Sequence, residues 1–387
     1  MYNFTKRVNR LNDNSIKWQK AKLDPELLPM WIADMDFETF KEMKEAIKSF
    51  AEQDIYGYTY PGSGLYESII DWERQEHNYE IQKEQIVFID GVVPAIALAI
   101  QSFTSIDDAI LINSPVYPPF ATSVMKNNRK LVRNNLVEVD GEFVIDFQSL
   151  EQDIIDNDIR LMIFCSPHNP GGRVWRIDEL ERLGFLCKKY DVILVVDEIH
   201  QDLTLFGNIH KSFNTVNPNF KDIAIILSSA TKTFNIAGMK NSFVIIENPD
   251  LRKKFIAQQA RNNQAEISSL GYIATETAYR TGGEWLRELK PVLEGNINYV
   301  IDYFRDNNLR ISVMKAQASY LLWLDFSAYN LTDDELENIL LNDAKLILNK
   351  GLDFGAEGTC HARMNIACPL SEVKEACSRL KNTFENI

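Results

Sequence analysis

The stretch Ile223-Ala224-Ile225-Ile226-Leu227-Ser228-Ser229-Ala230-Thr231-Lys232-Thr233-Phe234-Asn235 decides the fold. Its first five residues form a short continuous apolar run, the mark of a strand buried on both faces. Lys232 follows among small hydroxyl residues. At the carboxyl end of a buried strand an amine can be held away from water. Desolvation lowers its pKa and makes it usable as a nucleophile, as a base or as the amine of a Schiff base. One lysine in such a place also suits an ordinary solvated side chain, so the reading turns on what stands upstream.

The same pattern recurs there. Val192-Ile193-Leu194-Val195-Val196 runs into Asp197-Glu198-Ile199-His200, an apolar run ending in a carboxylate. Asp197 suits a helix N-cap, or a partner for a buried pyridinium nitrogen. Leu161–Cys165 leads into Ser166-Pro167-His168-Asn169-Pro170-Gly171-Gly172, a turn by composition. Ala109–Ile112 leads into Ser114-Pro115-Val116-Tyr117-Pro118-Pro119. Successive strand ends thus present Tyr117, Asn169, Asp197 and Lys232, and a doubly wound sheet binds its ligands at the carboxyl ends of strands. With Ile86–Ile89 and Ser242–Ile246 as further strands, the alternation with helical patterns predicts an α/β fold. It has a mostly parallel sheet with helices on both faces. Gly91-Val92-Val93 follows a strand and opens the apolar run Ala95–Ile100. Backbone N–H groups at a helix start can hold a phosphate, and glycine permits close approach; a plain strand-to-helix turn reads equally well. After Trp285 a long helical stretch precedes Ile311–Val313, Tyr320–Leu324 and Arg363–Ile366, short strands of a smaller α+β unit.

Bulk properties narrow the function classes. The 387 residues can bury a large core and are enough for two domains. A hydrophobic content of 45% and a charged content of 25% are those of a globular chain, and the net charge of −14 argues against a nucleic-acid partner. No apolar run is long enough for a bilayer, and Met1-Tyr2-Asn3-Phe4-Thr5-Lys6-Arg7 lacks an apolar signal core. The expected location is the cytoplasm, with no membrane partner. Cys165, Cys187, Cys360, Cys368 and Cys377 form no CxxC pair, and the histidines lack metal-ligand spacing, so no metal is expected. Walker-A, GxGxxG and HExxH patterns are absent.

The constellation resembles the pyridoxal-5′-phosphate (PLP) enzymes of the aspartate aminotransferase fold. Within them it is similar to the cystathionine β-lyase / cysteine C–S lyase subgroup (MalY/PatB type). The residues that carry this are Pro29 through Phe37, Tyr56-Gly57-Tyr58-Thr59, Gly91-Val92-Val93-Pro94 and Pro115 through Phe120. Pro167 through Trp175, Asp197 through His200, Lys232 through Gly238 and Arg363 through Pro369 continue it in order over almost the whole chain. The resemblance implies a large PLP-binding domain at 46–284 and a small domain made of 1–45 and 285–387. Lys232 is then the lysine that carries the cofactor and the base for the substrate α-hydrogen. Gly91, Val92, Val93, Ser229, Lys240 and, from the other subunit of a homodimer, Tyr58 would hold the phosphate. Tyr117 would stack on the ring, Asn169 would bond the phenolic oxygen, and Asp197 would keep the ring nitrogen protonated. Arg363, Ala33 and Asn169 would bind the amino-acid substrate.

Some positions depart from the family pattern. His200 stands where aminotransferases usually carry a tyrosine, and Lys240 where many carry an arginine. Gln317-Ala318-Ser319 and Gly355 through Ala362 are also unusual and are expected to line the substrate pocket. Trp31, Phe37 and Trp175 are read as pocket walls or, more simply, as core. The resemblance implies β-elimination on cysteine S-conjugates such as L-cystathionine, giving a thiol, pyruvate and ammonia. An aminotransferase shares nearly every named residue and is the rival enzyme. A transcription regulator with an aminotransferase-like domain would need a basic DNA-binding segment that this acidic chain lacks.

Overall fold

The computed structural model describes residues 2–385 and 387. Seven strands form the main sheet in the order Ile86–Ile89, Ser242–Ile245, Ala224–Ser228, Ile193–Asp197, Leu161–Cys165, Ala109–Ser114 and Lys130–Asn135. The Ser242–Ile245 strand is antiparallel to both neighbours, and every other pairing is parallel. The expected strands fall within a residue or two of these bounds. Lys130–Asn135 escapes the apolar-run signal for a physical reason. As the edge strand it has one neighbour, and its residues alternate with solvent instead of being buried throughout.

Successive residues of the strands supply opposite faces. Phe88, Leu111, Phe164, Val196 and Ile226 belong to one apolar cluster, and Val87, Ile110, Ile163, Val195 and Ile225 to the other. The second cluster is closed by helices Val92–Phe103 and Pro249–Arg261, through Ala95, Ile96, Ala99, Leu251 and Phe255. The first continues into the carboxyl-terminal part of the chain.

That part holds an antiparallel sheet in the order Ser312–Val313, Leu321–Asp325, His361–Asn365 and Asn349–Lys350. The helix Gly283–Asp306 buries Trp285, Leu289, Leu293, Ile297, Val300 and Phe304 at helical spacing and packs on helix Leu370–Phe384. Leu28–Pro29 pairs in parallel with Leu346–Ile347, which ties the amino-terminal segment to the same region. Among the described residues no helix is long and apolar enough to cross a membrane.

The helix Ile177–Lys189 lies against Phe220 through Gly184, where an added Cβ would stand 2.2–2.5 Å from the ring atoms. Phe220 is fully buried and stacked on Phe213 at 5.0 Å, so the ring has nowhere to retreat. Gly184→Ala is expected to destabilise the fold by about 1–3 kcal/mol, as overpacking does. The check is a lowered thermal midpoint with unchanged turnover per bound cofactor; an unchanged midpoint would contradict the packing described.

Candidate active site

Every expected site residue except Ser229, Tyr58 and Arg363 lines one cavity of about 340 Å³ at the carboxyl ends of the main-sheet strands. Lys232 enters it from the short helical turn Ala230–Thr233 that follows strand Ala224–Ser228. Its Nζ donates a hydrogen bond of 2.7 Å to the carbonyl of Ala33, 199 residues away in sequence. Burial pushes the amine down to about 8, the Arg363 charge adds to this, and Asp34 and Asp197 oppose it.

Asp197 closes strand Ile193–Asp197 and is fully buried. Its Oδ1 accepts the Ile199 N–H at 3.1 Å. Burial drives the carboxyl up to about 7 against that hydrogen bond and the Lys232 charge. Both earlier readings therefore have a trace here, since the Ile199 contact is a local turn bond and the carboxylate still lacks a close cation. His200 is buried with Nδ1 unpartnered, and burial lowers its ring to about 3, so the imidazole is neutral and holds one open polar position.

Arg363 stands on strand His361–Asn365 and reaches the cavity through Asn169. Its guanidinium donates to Asn169 Oδ1 at 2.9 Å, to Asn349 Oδ1 at 2.7 Å and to the Trp31 carbonyl at 3.1 Å, with Phe354 stacked below. Among the described residues Nε has no acceptor, and burial lowers the group to about 10. All these partners are neutral, so the buried cation is held in place but not neutralised. That is costly until an anion arrives. The Asn169 carboxamide spends its oxygen on Arg363, which leaves its N–H₂ as donor. The Asn169 backbone carbonyl also accepts the Tyr117 N–H at 3.1 Å and so sets Tyr117 at the cavity wall.

Gly91 precedes helix Val92–Phe103, whose first-turn N–H groups have no acceptor within the helix. Gly91, Val92 and Val93 line the same cavity as Lys240. A helix start with a lysine opposite suits an anion. The residues thus fit PLP in kind, with a buried carboxylate for a pyridinium N–H, a low-pKa amine for an aldehyde and an anion cradle for a phosphate.

Several expectations need restating. Ser229 does not line the cavity. It caps the Lys232 turn, accepting the Thr231 N–H and directing its hydroxyl at the Asn241 carbonyl, 2.7 Å away, and Thr231 lines the cavity in its place. Tyr58 is fully exposed within one chain. Gln317-Ala318-Ser319 does not line the cavity either. Gln317 Oε1 accepts from Val174 N at 2.8 Å, and the Ala318 N–H donates to Gly172, which holds the Asn169 turn from behind. Gly355 through Ala362 likewise lies outside the cavity lining, and Phe37 and Trp175 are core. Sequence reasoning missed Tyr320, whose hydroxyl donates to the Ala33 carbonyl at 3.1 Å. Its only signal was a place at the start of an apolar strand.

In cofactor-free protein Lys232 is expected to react with an acylating reagent with a midpoint near pH 8. Asp197→Asn should lower that midpoint, because the carboxylate favours the charged amine. Peptide mass spectrometry across a pH series checks both, and an ordinary lysine midpoint of 10.5 would refute the burial argument.

The model for the family "Aminotransferase class I and II" matches residues 26–380. Cystathionine β-lyase PatB of Bacillus subtilis is 39% identical over 98% of this chain and 99% of its own length. Cystalysin from Treponema denticola, solved with pyridoxal 5′-phosphate, superposes with a TM-score of 0.96 at 34% identity, over 100% of this chain and 99% of that one. The PLP-bound C–S lyase from Staphylococcus hominis gives 0.93 at 32%, covering 99% and 98%. With both sheets, the strand-end cavity and the full-length match in agreement, the chain belongs to the class I and II aminotransferase family, on the branch that holds the cystathionine β-lyases.

Proposed function

We propose that this protein is a PLP-dependent carbon–sulfur β-lyase acting on L-cystathionine or related cysteine S-conjugates. The observation that carries the reading is the set of three uncompensated ionisable groups, Lys232 and Asp197 on the cavity wall and Arg363 behind Asn169, in a chain whose full-length relatives include C–S lyases. When bound, PLP supplies an aldehyde that condenses with amines and a protonated ring that takes up the electron pair left as the α-hydrogen departs.

The residues do the rest. Arg363 pairs with the substrate carboxylate and gains the anion its burial lacks. Asn169, held by Arg363, keeps its N–H₂ for the phenolic oxygen. Asp197 would hold the proton of a ring nitrogen, and a cation beside it would draw the carboxyl's own pKa back down. Lys232 Nζ, lowered to about 8, is mostly protonated at neutral pH but has a far larger unprotonated share than an ordinary lysine, and that form would receive the α-proton. Loss of the β-thiolate then yields aminoacrylate, which water converts to pyruvate and ammonia; from cystathionine the thiol is homocysteine. Neutral His200 offers one hydrogen bond at the cavity wall.

The same reading takes 46–284 as the PLP-binding unit and 1–45 with 285–387 as the smaller one, supported by the pairing of Leu28–Pro29 with Leu346–Ile347. It also takes the protein as a homodimer. Ile55, Tyr56, Tyr58 and Tyr60 lie exposed on one irregular segment, and a second copy that covers them would bring Tyr58 to the partner's phosphate cradle. Five free cysteines, four of them buried, agree with a reducing cytoplasm.

Incubated with L-cystathionine and no 2-oxo acid, the enzyme should release one thiol and one pyruvate per substrate over many turnovers. Turnover that stalls after one event per site, and resumes only when a 2-oxo acid is added, would make it an aminotransferase. Lys232→Ala should lower elimination by ~10²–10⁴-fold or more. Arg363→Ala should raise KM about a hundredfold, the loss of a charge-assisted pair worth about 3 kcal/mol. Sedimentation should give twice the chain mass of 44.5 kDa, and a monomeric species would remove the role of Tyr58.

A further inference from the structure

Behind the cavity lies a buried polar network that the chemistry above does not use. Asp202 sits at its centre, on the short 3₁₀ turn Gln201–Leu203 that follows His200. Its Oδ1 accepts the Trp72 indole N–H at 3.0 Å and faces His77 Nε2 at 2.7 Å. Its Oδ2 accepts the hydroxyl of Thr233 at 2.7 Å. Thr233 is the residue next to Lys232 and is wholly buried. The neighbour of Asp202 holds the last residue of the strand that leads into the lysine turn. Gln201 Nε2 donates to Ser228 Oγ at 3.1 Å and to Glu73 Oε1 at 2.7 Å. Glu73, His77 and Trp72 all come from one helix, Ser63–His77.

We propose that Asp202 and Gln201 are positioning residues for Lys232, clamping the end of its turn and the strand end before it against helix Ser63–His77. One continuous segment, Asp197 to Asp202, thereby presents Asp197 and His200 to the cavity on one side and grips the lysine turn on the other. The distance between the ring-nitrogen carboxylate and the base is then fixed by a single rigid piece of chain. Charge reinforces the grip. Burial works to discharge His77, but the Asp202 contact more than offsets it and leaves the ring at about 9. Burial likewise opposes the Asp202 carboxylate, and the His77 contact holds it below its ordinary value. The pair therefore stays ionised at neutral pH, and Thr233 donates to a charged acceptor, a stronger bond than one between neutral groups.

The inference rests on the reading of Lys232 as the amine that moves the α-proton. Asp202→Asn leaves His77⁺ buried without its anion and risks the fold, so the test uses Thr233→Val, which removes only the hydroxyl, with Thr233→Ser as the conservative control. Holoenzymes are incubated with L-alanine in deuterium oxide, and α-hydrogen exchange is followed by proton NMR. L-Alanine has no β-leaving group, so the exchange reads proton transfer at Lys232 whichever overall reaction the enzyme performs. Thr233→Val is expected to exchange ~10–100-fold more slowly, as a misplaced catalytic group does. Its cofactor content and thermal midpoint should stay close to wild type. Its visible circular dichroism per bound cofactor should change, because the lysine that orients the cofactor has moved, and Thr233→Ser should recover both signals. Near-wild-type exchange in Thr233→Val would overturn the clamp. So would a loss of rate only in proportion to lost cofactor or stability, or a Thr233→Ser no better than Thr233→Val. A wild-type holoenzyme that fails to exchange would overturn the role of Lys232 itself, and the clamp with it.

Discussion

The hydrogen bond from Lys232 to the carbonyl of Ala33 joins the middle of the chain to its amino-terminal segment at the proposed seat of its chemistry. Lys232 stands on the short turn that follows main-sheet strand Ala224–Ser228, and Ala33 on an amino-terminal segment with almost no regular structure of its own. Exclusion of water lowers the pKa of a buried amine, and a protein acceptor keeps its N–H from being left unsatisfied. Ala33 supplies that group. The lysine is thus prepared for its chemistry by a residue that neither its strand nor its local sequence contains.

The charges around it follow one logic. Asp197 is buried without a close cation, Arg363 without an anion, and Lys232 with neither as a direct partner. A fold that left such groups to themselves would lose stability. Here each is restrained by neutral hydrogen-bond partners, which fix its direction without cancelling its charge. In the proposed reading a pyridinium nitrogen would pair with Asp197 and a substrate carboxylate with Arg363, while the Lys232 amine would condense with the cofactor aldehyde, so the open arrangement would favour cofactor and substrate together. The Asp202–His77 pair, also buried, is fully neutralised inside the fold. The contrast separates groups kept open for chemistry from groups spent on holding the scaffold.

Much of this was legible in the sequence, and the limits have physical causes. Strands buried on both faces announce themselves as apolar runs, so the residues at their carboxyl ends, Tyr117, Asn169, Asp197 and Lys232, could be placed in order. Edge strand Lys130–Asn135 could not, because half its residues face water. Ser229 was given a cofactor role by analogy with the family, but its hydroxyl is taken up by the cap of its own turn. Gln317 departed from the family pattern and suggested a pocket wall, yet its amide braces the Asn169 turn through Val174. The partners of Tyr320 and Asp202 lie far away in sequence, so neither contact left a local signal. Long-range side-chain contacts of this kind are what a linear reading cannot supply.

The same contacts explain how a nearly irregular segment stays in place while the lysine works. Between Trp31 and Met35 the backbone carbonyls are taken by side chains from across the fold. Arg363 holds that of Trp31, and Asn365 holds those of Ile32 and Asp34. Lys17 shares the Asp34 carbonyl, and Asn235 both donates to Met35 O and accepts from Met35 N at 2.9 Å. Each such bond contributes on the order of 1 kcal/mol net, so no single one decides whether the segment stays docked. The Ala33 carbonyl, however, must lose Lys232 whenever the amine engages a cofactor or receives a proton elsewhere. A buried carbonyl left alone costs about 1–3 kcal/mol. Tyr320 already donates to it at 3.1 Å, on the oxygen's second lone pair. The lysine can therefore leave without stranding the group it leaves behind, and the strap over the cavity does not have to lift for Lys232 to move.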